Sequence, residues 1–165
     1  MEPIVLFSVQ FTLSLIAFAL LAAWYVVPRL SMLPPERAVV PLLWVHVFRI
    51  VGGTILAPGA VEAAVPPAFR TIVGIGDIAT GVLALVALVA LRARLAGALA
   101  LVWLCVVVGT LDTANAIVQS MRYSVFNDAL GVNWVIVTLY VPALLVSTVL
   151  IFWQLFRSRR AALAG

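Results

Sequence analysis

Four ionisable side chains stand inside stretches otherwise built largely of Val, Leu, Ile, Ala and Gly: His46, Arg49, Asp77 and Asp112. An Arg or Asp at the centre of a membrane-crossing helix costs roughly 2.5–3.5 kcal/mol, so three of them cost about 8–10 kcal/mol before any pairing. So apolar a chain carries them only with compensation, and they are expected to face one another. One guanidinium between two carboxylates leaves a net negative cluster unless one Asp is protonated or a cation joins it. The chemistry on offer is ion pairing, proton or cation exchange, or capture of a small polar ligand. Catalytic templates fit poorly. There is no Gly-x-Ser-x-Gly elbow and no His-Glu-x-x-His pair, and nothing names a nucleophile, so an enzyme is not expected.

Other polar residues recur at helical spacing around these four. Gly109, Asp112 and Asn115 share a face that continues to Gln119. Gly74, Asp77 and Gly81 share another, with Thr80 adjoining, and His46, Arg49 and Gly53 a third. Gln10 and Ser14 near the start, with Asn133, Thr138 and Tyr140 near the end, complete a ring. The candidate ligand-binding or ion and proton pathway residues are therefore His46, Arg49, Asp77, Asp112, Asn115, Gln10, Asn133 and Tyr140. The runs Asp77-Ile78-Ala79-Thr80 and Asp112-Thr113-Ala114-Asn115 echo each other, but four residues are too few for a repeat.

The elements that must position these groups follow from composition. The 165 residues are 65% hydrophobic and 10% charged, with a mean hydropathy of +1.24. A water-soluble domain of this size would have too little polar surface to cover itself. All ten basic residues are Arg, so no lysine amine exists for a retinal or pyridoxal Schiff base. Cys105 is the single cysteine and His46 the single histidine. Neither an intrachain disulfide nor a two-histidine haem or His-rich zinc site can form, and no cofactor or metal is expected.

Five apolar runs are each near the roughly 20 residues that cross a hydrocarbon core. They cover about 3–27, 37–58, 71–91, 95–118 and 130–156, and β-barrel alternation is absent. The expected fold is an all-α integral membrane protein, one domain over 1–165 made of a five-helix transmembrane bundle. Pro142 is expected to kink the fifth helix. The first run lacks the basic start and cleavage site of a secretory signal and is expected to remain as a span. Arg29, Arg37, Arg92, Arg94, Arg157, Arg159 and Arg160 gather on one side, against Arg70 and Arg122 on the other. The positive-inside rule then puts the N-terminus outside and the C-terminus in the cytoplasm. On that topology Asp77 and Asp112 lie roughly 6–10 Å outward of the midplane. Arg49 starts nearer the midplane and extends to meet them. The tail arginines serve topology and lipid headgroups, and no nucleic acid is needed to explain them.

The run Pro41-Leu42-Leu43-Trp44-Val45-His46-Val47-Phe48-Arg49 resembles an uncharacterised family of small bacterial multi-pass membrane proteins. So do Ala57-Pro58-Gly59, Pro67-Ala68-Phe69, Gly76-Asp77, Leu111-Asp112 and Val141-Pro142-Ala143-Leu144-Leu145-Val146. The resemblance implies the bacterial cytoplasmic membrane and groups His46, Arg49, Asp77 and Asp112 together. It brings no known activity.

Two readings lead at this point, ahead of a third and weakest one, an intramembrane enzyme acting on a lipid or isoprenoid. In one, the cluster lines an outward-facing polar cavity that binds or transports a small polar solute, ion or proton. In the other, Arg49 locks three helices together in a non-transporting accessory or scaffold subunit of a larger membrane complex, or in a binder of a lipid-like ligand. Five helices are few to enclose a path alone, so a homo-oligomer or a larger complex is the expected partner besides the bilayer.

Overall fold

The computed structural model describes residues 2–125 and 130–164, with side chains described through Ser158. Phe126, Asn127 and Asp128 of the fourth loop, and the side chains of Arg159 and Arg160, lie outside the described residues. The described chain folds as five helices long and apolar enough to cross a membrane: α1 Pro3–Ser31, α2 Pro35–Leu56, α3 Pro67–Arg92, α4 Ala98–Arg122 and α5 Asn133–Ser158. The observed limits differ from the hydropathy runs by a few residues at most ends. Helical pairing continues into polar and loop-like flanks, where Pro35 and Pro67 open helices with their φ already set.

Helix α2 packs on α3 and α5, α3 on α4, and α4 reaches back to α5. These four close a bundle. Helix α1 lies outside it against α5, and none of its residues Pro3–Leu21 is buried. Two apolar cores fill the bundle. One, at the end bearing the 32–34 and 93–97 turns, joins Leu43, Ala84, Ala87, Val102, Cys105 and Ile151. The other is a cap at the opposite end, in which Val61 and Val65 of one loop meet Phe69, Val125 and Leu130. Phe69 and Tyr123 meet edge-on there at 6.2 Å between ring centroids.

Three local departures from α geometry matter. In α2 the α-helix ends at Val47 and a 3-10 helix continues over Phe48–Leu56. Three residues per turn place i and i+3 on one face, and Arg49, Gly52 and Ile55 are the buried residues of that stretch. The expected partnership of Arg49 with Gly53 is therefore corrected: Gly52 shares its face, and Gly53 turns to Ile78. Backbone contact drives the change, because Gly81 of α3 lets the Val47 carbonyl and the Ile50 amide approach with no intervening side chain.

The other two departures are wide π-helical turns, Ala22–Val26 and Ile136–Tyr140. Each precedes a proline by two residues, Pro28 and Pro142 respectively. A proline ring in a regular α-helix collides with the carbonyl four residues back and offers that carbonyl no N–H. Those carbonyls, of Trp24 and Thr138, fall within the wide turns, which make room for the ring. The disturbance expected at Pro142 is thus taken up one turn earlier.

Candidate functional site: a guanidinium between two carboxylates

Arg49 extends from the 3-10 part of α2 into the space between α3 and α4. It is only 3% exposed, and all three of its nitrogens donate. Nε donates to Oδ1 of Asp77 at 2.6 Å, Nη2 to Oδ2 of Asp112 at 2.5 Å, and Nη1 to the Gly109 carbonyl at 2.9 Å. One side chain thereby ties three helices. Charge-assisted bonds of this length are among the stronger contacts available to a protein.

The carboxylates are held from behind by glycines. A β-carbon at Gly52 would overlap Oδ2 of Asp77, and one at Gly76 would overlap Oδ1 of Asp112. Gly109 plays a third part: a β-carbon there would press on the Thr80 methyl at 3.0 Å and stand 3.4 Å from Nη1 of Arg49. Neither carboxylate is sealed. The Asp77 and Asp112 side chains keep 18% and 17% exposure. The formal charge of the three groups is one negative unit.

His46 lies one turn before Arg49 on α2 and is buried, and neither ring nitrogen makes a hydrogen bond among the described residues. Its Nδ1 and Nη1 of Arg49 converge on Gly109, so the imidazole adjoins the cluster on the side of the larger core. Among the described residues no three His, Cys, Asp or Glu side chains gather as a metal site would require.

The sequence profile of a family described as a domain of unknown function (DUF8737) matches residues 6–156. The chain belongs to this family. No curated protein and no solved structure matches the chain. The expected resemblance to a family without a known activity holds, and the family's matched span takes in every residue of the candidate site.

The remaining expected residues do not all join the cluster. Tyr140 comes near it: its hydroxyl donates to the Val45 carbonyl, one turn before Arg49 on α2. Gln10 of α1 instead accepts from Nε1 of Trp134 at 2.6 Å, tying α1 to α5. Asn133 is buried under the cap and donates to the Ala60 carbonyl at 3.3 Å. Asn115 is exposed, and its side chain makes no hydrogen bond among the described residues. Sequence spacing placed it on the Asp112 face, but a three-residue step on an α-helix drifts by about 60°, and here that drift carries it out of the bundle. Gly52, Gly76 and the Gly109 carbonyl were missed as site residues. The adjacency in Gly76-Asp77 was a signal for Gly76, and the spacing that put Gly109 on the Asp112 face was one for Gly109, whereas Gly52 had none.

Proposed function

We propose that this is a multi-pass protein of the cytoplasmic membrane, N-terminus outside and C-terminus inside, in which Arg49, Asp77 and Asp112 bind and pass a proton or small cation. Membrane residence is supported by five long apolar helices whose large apolar side chains remain exposed around the bundle. Orientation is supported by the crowding of arginines at the 32–34 and 93–97 turns and in the tail.

The observation that carries the reading is the charge count. Every guanidinium nitrogen is already used, both carboxylates remain partly open, and with both ionised the three groups carry one surplus negative charge. An intramembrane charge of that kind is held at high cost. A proton or a small cation cancels it, and His46 offers a next station toward the arginine-rich end. The test is purified protein in liposomes with an imposed pH or cation gradient. Asp77→Asn and Asp112→Asn are expected to abolish flux while the protein still elutes as a folded species. Unchanged flux in both variants, or none in the wild-type protein, counts against transport.

A second reading is favoured by the burial of Arg49: the cluster is a bracket joining α2, α3 and α4 in an accessory subunit. It predicts no flux, together with co-purification of a membrane partner that is retained in the Asn variants.

A further inference from the structure

Far from the charge cluster, between the start of α2 and the end of α3, lies a groove of about 650 Å³. Its walls are Val40, Trp44, Leu88 and Leu91, and its rim carries Arg37, Arg92 and Arg94 with Glu36. A smaller hollow of about 320 Å³ continues past Glu36 and Arg94 toward the start of α4. The three arginines are exposed, and none of their side chains makes an ion pair or hydrogen bond among the described residues. Apolar walls below a cationic rim have the polarity profile of one amphiphile: acyl chain along the wall, anion at the rim.

A second observation concerns the backbone. The end of α3 is a Schellman turn, with Leu95 N–H bonded to the Ala90 carbonyl at 3.0 Å and Arg94 N–H to the Leu91 carbonyl at 3.1 Å. The residue between must be left-handed, a position that glycine fills without strain. Arg94 fills it at φ +54, although the same turn uses Gly97 at φ +83 three residues later. An arginine kept where glycine fits better points to a use for its side chain.

We infer that this groove binds an anionic phospholipid of the cytoplasmic leaflet, its phosphate held by Arg37, Arg92 and Arg94 and an acyl chain laid against Val40, Trp44 and Leu88. The net positive charge of the rim, three arginines against Glu36, suits a headgroup of net negative charge over one whose phosphate is offset by its own ammonium. The inference rests on membrane residence and the proposed orientation, and is independent of proton or cation passage.

Native mass spectrometry of the detergent-purified protein with phosphatidylglycerol or phosphatidylcholine added at equal concentration tests it. Phosphatidylglycerol should be retained in preference. Arg37→Gln, Arg92→Gln and Arg94→Gly should each weaken that retention by about fivefold, and Arg29→Gln, at the same end but outside the groove, should not. Arg94→Gly matters most, since it removes the side chain while easing the backbone. Acyl-brominated phosphatidylglycerol should quench wild-type fluorescence more than that of Trp44→Phe. Equal retention of the two lipids, or equal loss in all four arginine variants, overturns the inference. Displacement by millimolar inorganic phosphate would show a free-anion site and overturn the lipid assignment. A chain found outside the membrane fraction would overturn membrane residence and this inference together, whereas absent flux with selective lipid retention would touch only the transport reading.

Discussion

Asp112 rests against Gly76: a β-carbon at 76 would overlap Oδ1, while Oδ2 accepts from Arg49 at 2.5 Å. The ion pair and the close approach of α3 to α4 are therefore one feature. Gly76→Ala should push the carboxylate off the guanidinium and cost about 1–3 kcal/mol, the usual range for overpacking. Thermal unfolding in detergent, followed by the loss of a monodisperse elution peak, reads this directly. An unshifted midpoint would show that Asp112 has room to move.

Removing the cation should be worse than removing the whole cluster. Arg49→Ala leaves two half-buried carboxylates uncompensated and should destabilise by about 3 kcal/mol, the lower end of the range for breaking a buried pair. The triple variant Arg49→Gln, Asp77→Asn, Asp112→Asn keeps shape and hydrogen-bonding capacity without charge, and should recover most of that loss. Comparing the two midpoints separates the cost of unpaired charge from the contribution of the pair itself.

Tyr140 gives a smaller effect. Its hydroxyl donates to the Val45 carbonyl beside the change from α to 3-10 geometry in α2. Interhelical hydrogen bonds in membrane proteins average about 0.6 kcal/mol and reach roughly 1.7. Tyr140→Phe should fall in that range, with hydrogen exchange rising at Val47–Gly52 if the bond holds the transition in place.

Arg94→Gly should stabilise. A left-handed residue other than glycine costs roughly 1–2 kcal/mol, and glycine returns part of this in the unfolded chain. A net gain of about 0.5–1 kcal/mol is expected in the unfolding midpoint, in the same protein that loses anionic lipid.

Orientation can be read with thiol chemistry because Cys105 is fully buried in the larger core. The native chain should resist a membrane-impermeant maleimide until denatured. In a Cys105→Ser background, Glu62→Cys should label in intact cells. Met32→Cys, at a residue 84% exposed, should label only after permeabilisation. The reverse pattern would invert the proposed topology.

Much of the architecture was written plainly in the sequence. Apolar run length located five helices, since length and hydropathy depend on composition alone. Arg49, Asp77 and Asp112 stood out because a charge in an apolar run has few ways to be compensated, and mutual pairing is the commonest. Less was legible where neighbours set the geometry. The 3-10 half of α2 depends on contact with Gly81 of a different helix, and it moved the face of Arg49 from Gly53 to Gly52. Gln10 and Asn133 have the polarity of pathway residues, yet each satisfies a neighbour elsewhere, Trp134 and the Ala60 carbonyl. The wide turns before Pro28 and Pro142 were half legible: proline announced a disturbance and backbone sterics chose where it fell.

The three-helix grip on Arg49 also imposes a timetable on biosynthesis. For a chain that enters the bilayer as proposed, Arg49 leaves the ribosome first, Asp77 follows 28 residues later and Asp112 follows 63 residues later. At about 5–20 residues per second the second carboxylate arrives roughly 3–13 s after the arginine. Asp77 comes sooner, about 1–6 s after the arginine at the same rate, and until then α2 alone carries an uncompensated cation that the insertion machinery has to retain. The α2–α3 hairpin is then the smallest unit that can be released into lipid, and α4 joins a pair that is already neutral.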